Sequence, residues 1–132
     1  MEDGLRILIL EDVSTDADLM AYELFEAGLR FTAKRVATGG AFVKEMEAFA
    51  PDLILSDYNL PQYNGALALA EAKKRRPDVP FILVTGALGE DRAEEILIQG
   101  AGDFVHKDQL HKLAPAVVRA LIKRGIACAA TG

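Results

Sequence analysis

Two patterns of hydrophobic residues alternate along the chain. Short apolar runs such as LRILIL (5–10), DLILSD (52–57) and PFILVT (80–85) alternate with stretches in which apolar residues recur every three to four positions. The runs are typical of strands buried on both faces, and the spaced stretches are typical of helices with one buried face. FTAKRVA (31–37) and GDFVHK (102–107) add two further strands. The pattern therefore predicts five strands, each followed by a helix.

A proline constrains the last of these helices. Pro115 would break a helix that began at residue 109, because proline has no N–H group and clashes with the preceding turn. Proline is well tolerated in the first turn of a helix. We therefore expect a short turn at 109–113 and a last helix that begins near Ala114.

Repeated strand–helix units with apolar strands predict the α/β class, with a parallel sheet and helices on both faces. Right-handed crossovers leave few topologies. The simplest is a flavodoxin-like (βα)5 fold with strand order 2-1-3-4-5. The length suits one domain over residues 1–124. Residues 125–132 are small and patternless, which predicts a C-terminal tail or a truncated linker.

Composition narrows the function classes. The net charge of −5 argues against nucleic-acid contact by this domain. No apolar run approaches the roughly 20 residues of a membrane span, and the residues before the first strand lack the apolar core of a signal peptide. The single cysteine, Cys128, cannot form an intrachain disulfide. We expect a cytoplasmic protein without membrane contact.

Polar residues stand at the ends of the predicted strands. Ligands bind such sheets at the carboxyl ends of the strands. In the expected order, strands one, three, four and five are neighbours, and their ends carry ionisable or hydroxyl groups: Glu11, Asp12, Asp57, Thr85 and Lys107. Strand two ends in Val36 and Ala37, and we expect no ionisable group from it.

This set of groups favours phosphoryl chemistry with a metal ion. Three carboxylates repel one another, and a hard divalent cation such as Mg2+ or Mn2+ prefers oxygen ligands. Asp57 can act as a nucleophile that forms an acyl phosphate. The ion, Lys107 and the Thr85 hydroxyl would stabilise the transferring phosphoryl group. Gly86, next along the chain, would leave room for the donor.

The same residues resemble a known family, the receiver domains of two-component response regulators. Glu11–Asp12 resembles the family's acidic pair, Asp57 its phosphoacceptor, Thr85 its hydroxyl position and Lys107 its lysine. SDYNLPQYNG (56–65) resembles its acceptor loop. The resemblance extends from Leu5 to about Arg124.

The resemblance implies a role in phosphorelay signalling. Asp57 would accept a phosphoryl group from the phosphohistidine of a sensor histidine kinase or a histidine phosphotransfer domain. Mg2+ would be held by Asp12, Asp57 and the backbone carbonyl of Asn59, with Glu11 acting through water. Such a domain assists its own phosphorylation and dephosphorylation and is not a turnover enzyme.

The resemblance also implies a conformational switch. Phe104, three residues before Lys107, falls on the family's switch aromatic, although packing in the core is an equal alternative for an apolar strand residue. In the switch, Thr85 would move toward the phosphoryl group and Phe104 would rotate inward. The face of helix four, strand five and helix five would then dock a partner or a second copy.

One residue departs from the family's pattern. Asp108 follows Lys107, where receiver domains usually have a proline, often after a cis bond. A non-proline cis bond costs roughly 2.5–4 kcal/mol. We therefore expect a trans Lys107–Asp108 bond, with Asp108 as a cap for the following turn.

Two other functions compete with the signalling hypothesis. A haloacid-dehalogenase-like phosphatase also forms an aspartyl phosphate, but it needs a second aspartate two positions further on, where this chain has Asn59, and the chain has no cap insertion. A receiver-like interaction module that no longer accepts phosphate is the other alternative. A nucleotide-binding site is poorly supported, because neither glycine-rich phosphate-binding motif is present.

Overall fold

A five-stranded parallel sheet forms the centre of the molecule. Its strands, which we number in chain order, are β1 (Leu5–Leu10), β2 (Phe31–Val36), β3 (Leu53–Ser56), β4 (Phe81–Thr85) and β5 (Asp103–His106). They lie in the order β2-β1-β3-β4-β5. The predicted flavodoxin-like order 2-1-3-4-5 is confirmed.

The structure is a computed structural model that describes residues 4–86 and 90–125, apart from the side chains of Glu90, Asp91 and Ala93. The predicted tail therefore lies outside the described residues beyond Gly125, and Cys128 lies outside them as well.

In the described part of the chain, each of the five strands is followed by an α-helix. These helices are α1 (Ser14–Glu26), α2 (Gly39–Ala48), α3 (Gly65–Arg75), α4 (Glu90–Ile98) and α5 (Leu113–Arg124). A 3-10 helix, Lys107–Lys112, precedes α5. Pro115 is the third residue of α5, where its missing N–H group breaks no helical hydrogen bond. The predicted short turn followed by a final helix is confirmed.

The two faces of the sheet carry separate cores. Ile7 and Ile9 of β1 belong to the core that includes α1 and α5, whereas Leu8 and Leu10 belong to the core that includes α2 and α3. Successive side chains of a strand point to opposite faces, so β1 contributes to both layers. Helices on both faces explain why the central strands are apolar throughout.

The strand register aligns the carboxyl ends. Leu10 of β1 lies beside Val36 of β2 and Ser56 of β3, so Glu11 and Asp57 leave the sheet side by side. The backbone N–H of Asp57 donates to the Leu10 carbonyl at 2.9 Å, which extends the parallel pairing beyond β3. Parallel pairing therefore brings together residues that are far apart in sequence.

The acceptor loop is more ordered than the sequence indicated. Asn59–Leu60 and Tyr63–Asn64 pair as a short antiparallel hairpin, with Gln62 at a positive φ of 59° in its turn. The N–H of Gly65 donates to the Tyr58 carbonyl at 2.8 Å and closes the loop. Two-residue strands are too short to show a period, so the sequence predicted only a loop.

Gly65, the first residue of α3, packs closely against Tyr58 of this loop and Leu83 of β4. Its replacement by alanine tests that packing. A Cβ atom on Gly65 would lie 2.9 Å from Leu83 Cδ1 and 3.0 Å from the Tyr58 Cα atom. We expect Gly65→Ala to lower the free energy of unfolding by about 1–3 kcal/mol, since the neighbouring backbone must move. Urea denaturation followed by circular dichroism measures the change.

Gly40→Ala is the matched control for that prediction. No atom lies within 4 Å of a Cβ placed on this helical glycine. Its replacement should leave stability unchanged or raise it by up to about 1 kcal/mol. Equal losses in the two variants would show that the Gly65 contacts do not limit stability.

Candidate functional site

Three carboxylates meet at the carboxyl edge of the sheet. Glu11 and Asp12 follow β1, and Asp57 follows β3; one oxygen from each lies within 4.8 Å of the others. Glu11 is fully buried and Asp57 is 6% exposed, whereas Asp12 faces solvent. The structure thus brings together the acidic residues that the sequence placed at these strand ends. This acidic group could hold a metal ion.

Lys107 compensates part of this negative charge. Its Nζ lies 2.7 Å from Asp16 Oδ2, 2.8 Å from Glu11 Oε1 and 3.0 Å from Asp57 Oδ2. Burial by itself would lower the pKa of Lys107, but the contacts with these three carboxylates outweigh it and hold the pKa well above its ordinary value. The ammonium group therefore stays charged at physiological pH.

Both oxygens of the Asp57 carboxylate have a donor. Oδ1 accepts a hydrogen bond from the Tyr58 N–H at 2.6 Å, and Oδ2 accepts one from Lys107. The side chain of Ser56, fully buried, donates to the Asp57 carbonyl at 2.8 Å. These bonds fix the direction in which the carboxylate leaves β3.

Glu11 is less well compensated. Its Oε2 accepts from the Val13 N–H at 3.1 Å, but the buried Oε1 makes no hydrogen bond and meets Lys107 only as an ion pair. Burial raises the pKa of Glu11, although Lys107 and the Val13 amide oppose this effect. A buried carboxylate that shares the Lys107 ammonium group with Asp16 and Asp57 is the kind of group that a divalent cation, or water bound to it, would stabilise further.

The remaining predicted residues lie at the same edge. Thr85 is the last residue of β4, is 1% exposed, and pairs in register with His106 of β5. Gly86 is exposed, and a Cβ placed on it would lie at an ordinary contact distance of 3.5 Å from Lys107 Cβ. Phe104 is half-buried, and its ring meets the His106 ring edge-on with 6.1 Å between centroids.

Two side chains that touch this edge were not predicted. Asp16, in the first turn of α1, hydrogen-bonds Lys107. Arg35 of β2 donates to the Glu11 carbonyl at 3.0 Å, so the expectation that strand two adds no ionisable group was wrong. That expectation considered only the last residues of the strand, whereas the long arginine side chain reaches the site from one position earlier.

A third missed contact joins the acceptor loop to α4. Arg92 Nη1 donates to the Tyr58 hydroxyl at 2.8 Å, and the guanidinium carbon lies 5.8 Å from the tyrosine ring centroid. Tyr58 directly follows Asp57 in the chain. Nothing in the pattern of the sequence signals this pair, because the two residues lie on separate elements.

Asp108 does not cap the turn after Lys107. Its Oδ1 lies 2.7 Å from His106 Nδ1, and the 3-10 helix has no side-chain cap. A neighbouring imidazole thus takes the carboxylate that was expected to meet a backbone N–H group. The peptide bonds of the described residues are all trans, including Lys107–Asp108, as predicted.

Comparison with known proteins agrees with this geometry. The family model of the response regulator receiver domain matches residues 7–118. The chain therefore belongs to the response regulator receiver domain family, and this membership supports a role in phosphorelay signalling.

Individual relatives are similar in sequence and structure. The response regulator protein FleR of Pseudomonas aeruginosa is 32% identical over 102 residues, which are 77% of this chain and 21% of that protein. The sensory transduction protein RegX3 of Mycobacterium tuberculosis is 33% identical over 119 residues, which are 90% of this chain and 51% of that protein. The chain therefore spans about a fifth to a half of these relatives.

A solved structure shows the same fold. The CheY-like receiver domain protein from Methanospirillum hungatei superposes with a TM-score of 0.81 at 27% identity, covering 92% of this chain and 97% of that one.

Within residues 4–86 and 90–125, every helix is too short or too polar to cross a membrane.

The raised pKa of Glu11 predicts a pH-dependent gain in stability on its neutralisation. A raised folded-state pKa means that the favourable contribution of the neutral carboxyl is complete below the unfolded pKa, about 4.3, and is lost as pH rises through the folded value. We expect Glu11→Gln to melt a few degrees above the parent at pH 7 in EDTA, with a difference that shrinks toward pH 4. Calorimetry across this range measures it.

Asp18→Asn is the control for general charge removal, since Asp18 is an exposed residue of α1. It should change the melting temperature little at any of these pH values. A Glu11→Gln variant that melts below the parent at pH 7 would show that the contact with Lys107 outweighs burial.

Proposed function

We propose that the chain is a phosphorylatable signalling switch that accepts a phosphoryl group on Asp57. The observation that carries this proposal is the position of the Asp57 carboxylate, which lies 3.0 Å from an ammonium group and among the oxygens of Glu11 and Asp12. A carboxylate so placed can act as a nucleophile toward phosphorus.

The chemistry would be an in-line transfer. A carboxylate oxygen of Asp57 attacks the phosphorus of a phosphohistidine on a sensor histidine kinase or a histidine phosphotransfer domain. The new P–O bond forms as the P–N bond breaks, and the imidazole leaves with the bonding electrons and takes up a proton. Lys107 and the Thr85 hydroxyl stabilise the charge on the phosphoryl oxygens, and the small Gly86 leaves their approach open.

The acidic group would hold Mg2+ or Mn2+. Asp12, Asp57 and the backbone carbonyl of Asn59 are the proposed ligands, with Glu11 acting through water. The excess of carboxylates over the Lys107 ammonium group at this edge supports this assignment. When bound, the ion supplies positive charge to the phosphoryl oxygens.

The readout of the switch would be a change of surface. Thr85 moves toward the phosphoryl group, and the half-buried Phe104 takes the vacated space. This movement biases the face of α4, β5 and α5, where an output partner or a second copy of the chain would dock. We place the switch in the cytoplasm and assign it to residues 1–124, without contact to nucleic acid or membrane. It assists its own phosphorylation and dephosphorylation without being a turnover enzyme.

The phosphatase alternative lacks its general acid. Asn59 occupies the position of the second aspartate, and an amide does not donate a proton to a leaving group as a carboxylic acid does. The interaction-module alternative predicts no phosphate on Asp57, so a single labelling experiment separates it from the switch.

Labelling with a small phosphodonor tests the acceptor. With Mg2+ and acetyl phosphate, the parent should gain one phosphate that is stable in acid and labile in base, as an acyl phosphate is. Asp57→Asn should abolish it, because an amide is not a nucleophile for this step. Intact-mass spectrometry measures the gain.

Asp108→Asn is the matched control, since this exposed aspartate lies beside Lys107 in the chain. It should be labelled like the parent. An unlabelled parent that also fails to bind beryllofluoride, or equal labelling of the parent and Asp57→Asn, would leave the interaction module as the better reading.

The metal assignment has a separate test. We expect Asp12→Ala to weaken Mg2+ binding by at least about tenfold, because it removes a proposed ligand. Isothermal titration calorimetry measures the affinity, and Asp18→Ala controls for the loss of one negative charge. Equal affinities in Asp12→Ala and the parent would mean that the ion binds elsewhere.

A further inference from the structure

Asp16 makes the shortest of the three ion pairs of Lys107 and has no role in the function proposed above. Its Oδ2 lies 2.7 Å from Lys107 Nζ, whereas Glu11 and Asp57 lie at 2.8 and 3.0 Å. The side chain is 32% exposed and reaches Lys107 from the first turn of α1. Burial lowers the pKa of Lys107, and the hydrogen bond to Asp16 is one of the contacts that raise it above its ordinary value.

Carboxylates surround Lys107 in this arrangement: its Nζ donates hydrogen bonds to Asp16 and Asp57 and forms an ion pair with Glu11. An ammonium group has three N–H donors, and three carboxylates surround this one. A phosphoryl group on Asp57 would require at least one of these donors. The Asp16 carboxylate lies at the more exposed side of the cluster and competes directly with the phosphoryl oxygens for the ammonium group.

The negative charge of Asp16 also disfavours binding of the phosphodonor. An anionic phosphodonor must approach an edge that already carries Glu11, Asp12 and Asp57. A further carboxylate in contact with Lys107 reduces the positive potential that the donor meets. This reduction would weaken donor binding more than it slows formation of the new bond.

We propose that Asp16 is a positioning residue that restrains Lys107 and so weakens the binding of the phosphodonor at Asp57. The restraint ties the lysine to α1 and sets how readily the site is phosphorylated by donors that lack a docking partner. This inference rests on the proposed function, because it presumes phosphoryl transfer to Asp57.

The test compares the rates at which neutral and charged variants are labelled. Parent, Asp16→Asn and Asp16→Glu are incubated with saturating Mg2+ and a series of acetyl phosphate concentrations, and intact mass gives the rate of phosphate gain. Asp16→Asn should reach its half-maximal rate at about fivefold lower donor concentration, the factor expected for one unit charge at contact distance in water. Its maximal rate should change little, and Asp16→Glu should stay near the parent.

Two further variants separate the contact from its side effects. Asp18→Asn removes the same charge from the same helix at an exposed position and should behave like the parent. Asp16→Ala is a second neutral variant and should be labelled like Asp16→Asn. It replaces Asp16→Asn in the comparison if that variant folds poorly. Melting temperatures in EDTA report folding independently of labelling.

The outcomes distinguish this inference from the function on which it rests. A parent that is not labelled overturns both. A labelled parent with the same half-maximal donor concentration in Asp16→Asn and Asp18→Asn overturns the role of Asp16 alone. A higher half-maximal concentration in Asp16→Asn also overturns it, since Asp16 would then hold Lys107 in the productive position.

Discussion

The contact of one ammonium group with three carboxylates holds the carboxyl edge of this domain together. Glu11 and Asp57 are buried side by side, and two buried carboxylates without a cation would be strongly destabilising. Lys107 supplies the charge from the residue after β5, a strand that lies two strands away from β3 in the sheet. Its long, flexible side chain allows this one residue to contact carboxylates just after β1, just after β3 and in the first turn of α1.

Lys107 compensates only part of the negative charge at this edge of the sheet. Glu11 Oε1 has no hydrogen bond and Asp12 lies at the surface of the acidic group, so the site keeps an excess of negative charge. Folded proteins tolerate such local conflicts mainly where function requires them. Receiver-domain membership gives this excess a natural explanation, because an acidic group of this kind suits a divalent cation.

The sequence predicted the sheet and most of the site for one physical reason. In a parallel sheet the carboxyl ends of neighbouring strands share one edge, so strand order alone brought Glu11, Asp57 and Lys107 together. Contacts made by long side chains from other elements could not be predicted in this way. Asp16 is not at a strand end, and its contact with Lys107 depends on how α1 lies against the 3-10 helix Lys107–Lys112. Asp108 likewise meets a side chain, the His106 imidazole, in place of the expected backbone N–H group.

Because the side chains of β1 alternate between two cores, residues that are neighbours in sequence need not be coupled energetically. Ile7 and Leu8 are consecutive, yet they pack into different layers on opposite faces of the sheet, whereas Ile7 shares its layer with Val117 of α5. Residues without shared neighbours contribute to stability almost independently, and residues in contact do not. A change of volume at Ile7 therefore perturbs mainly the layer of α1 and α5, and the packing in the layer of α2 and α3 can be altered with little effect on it.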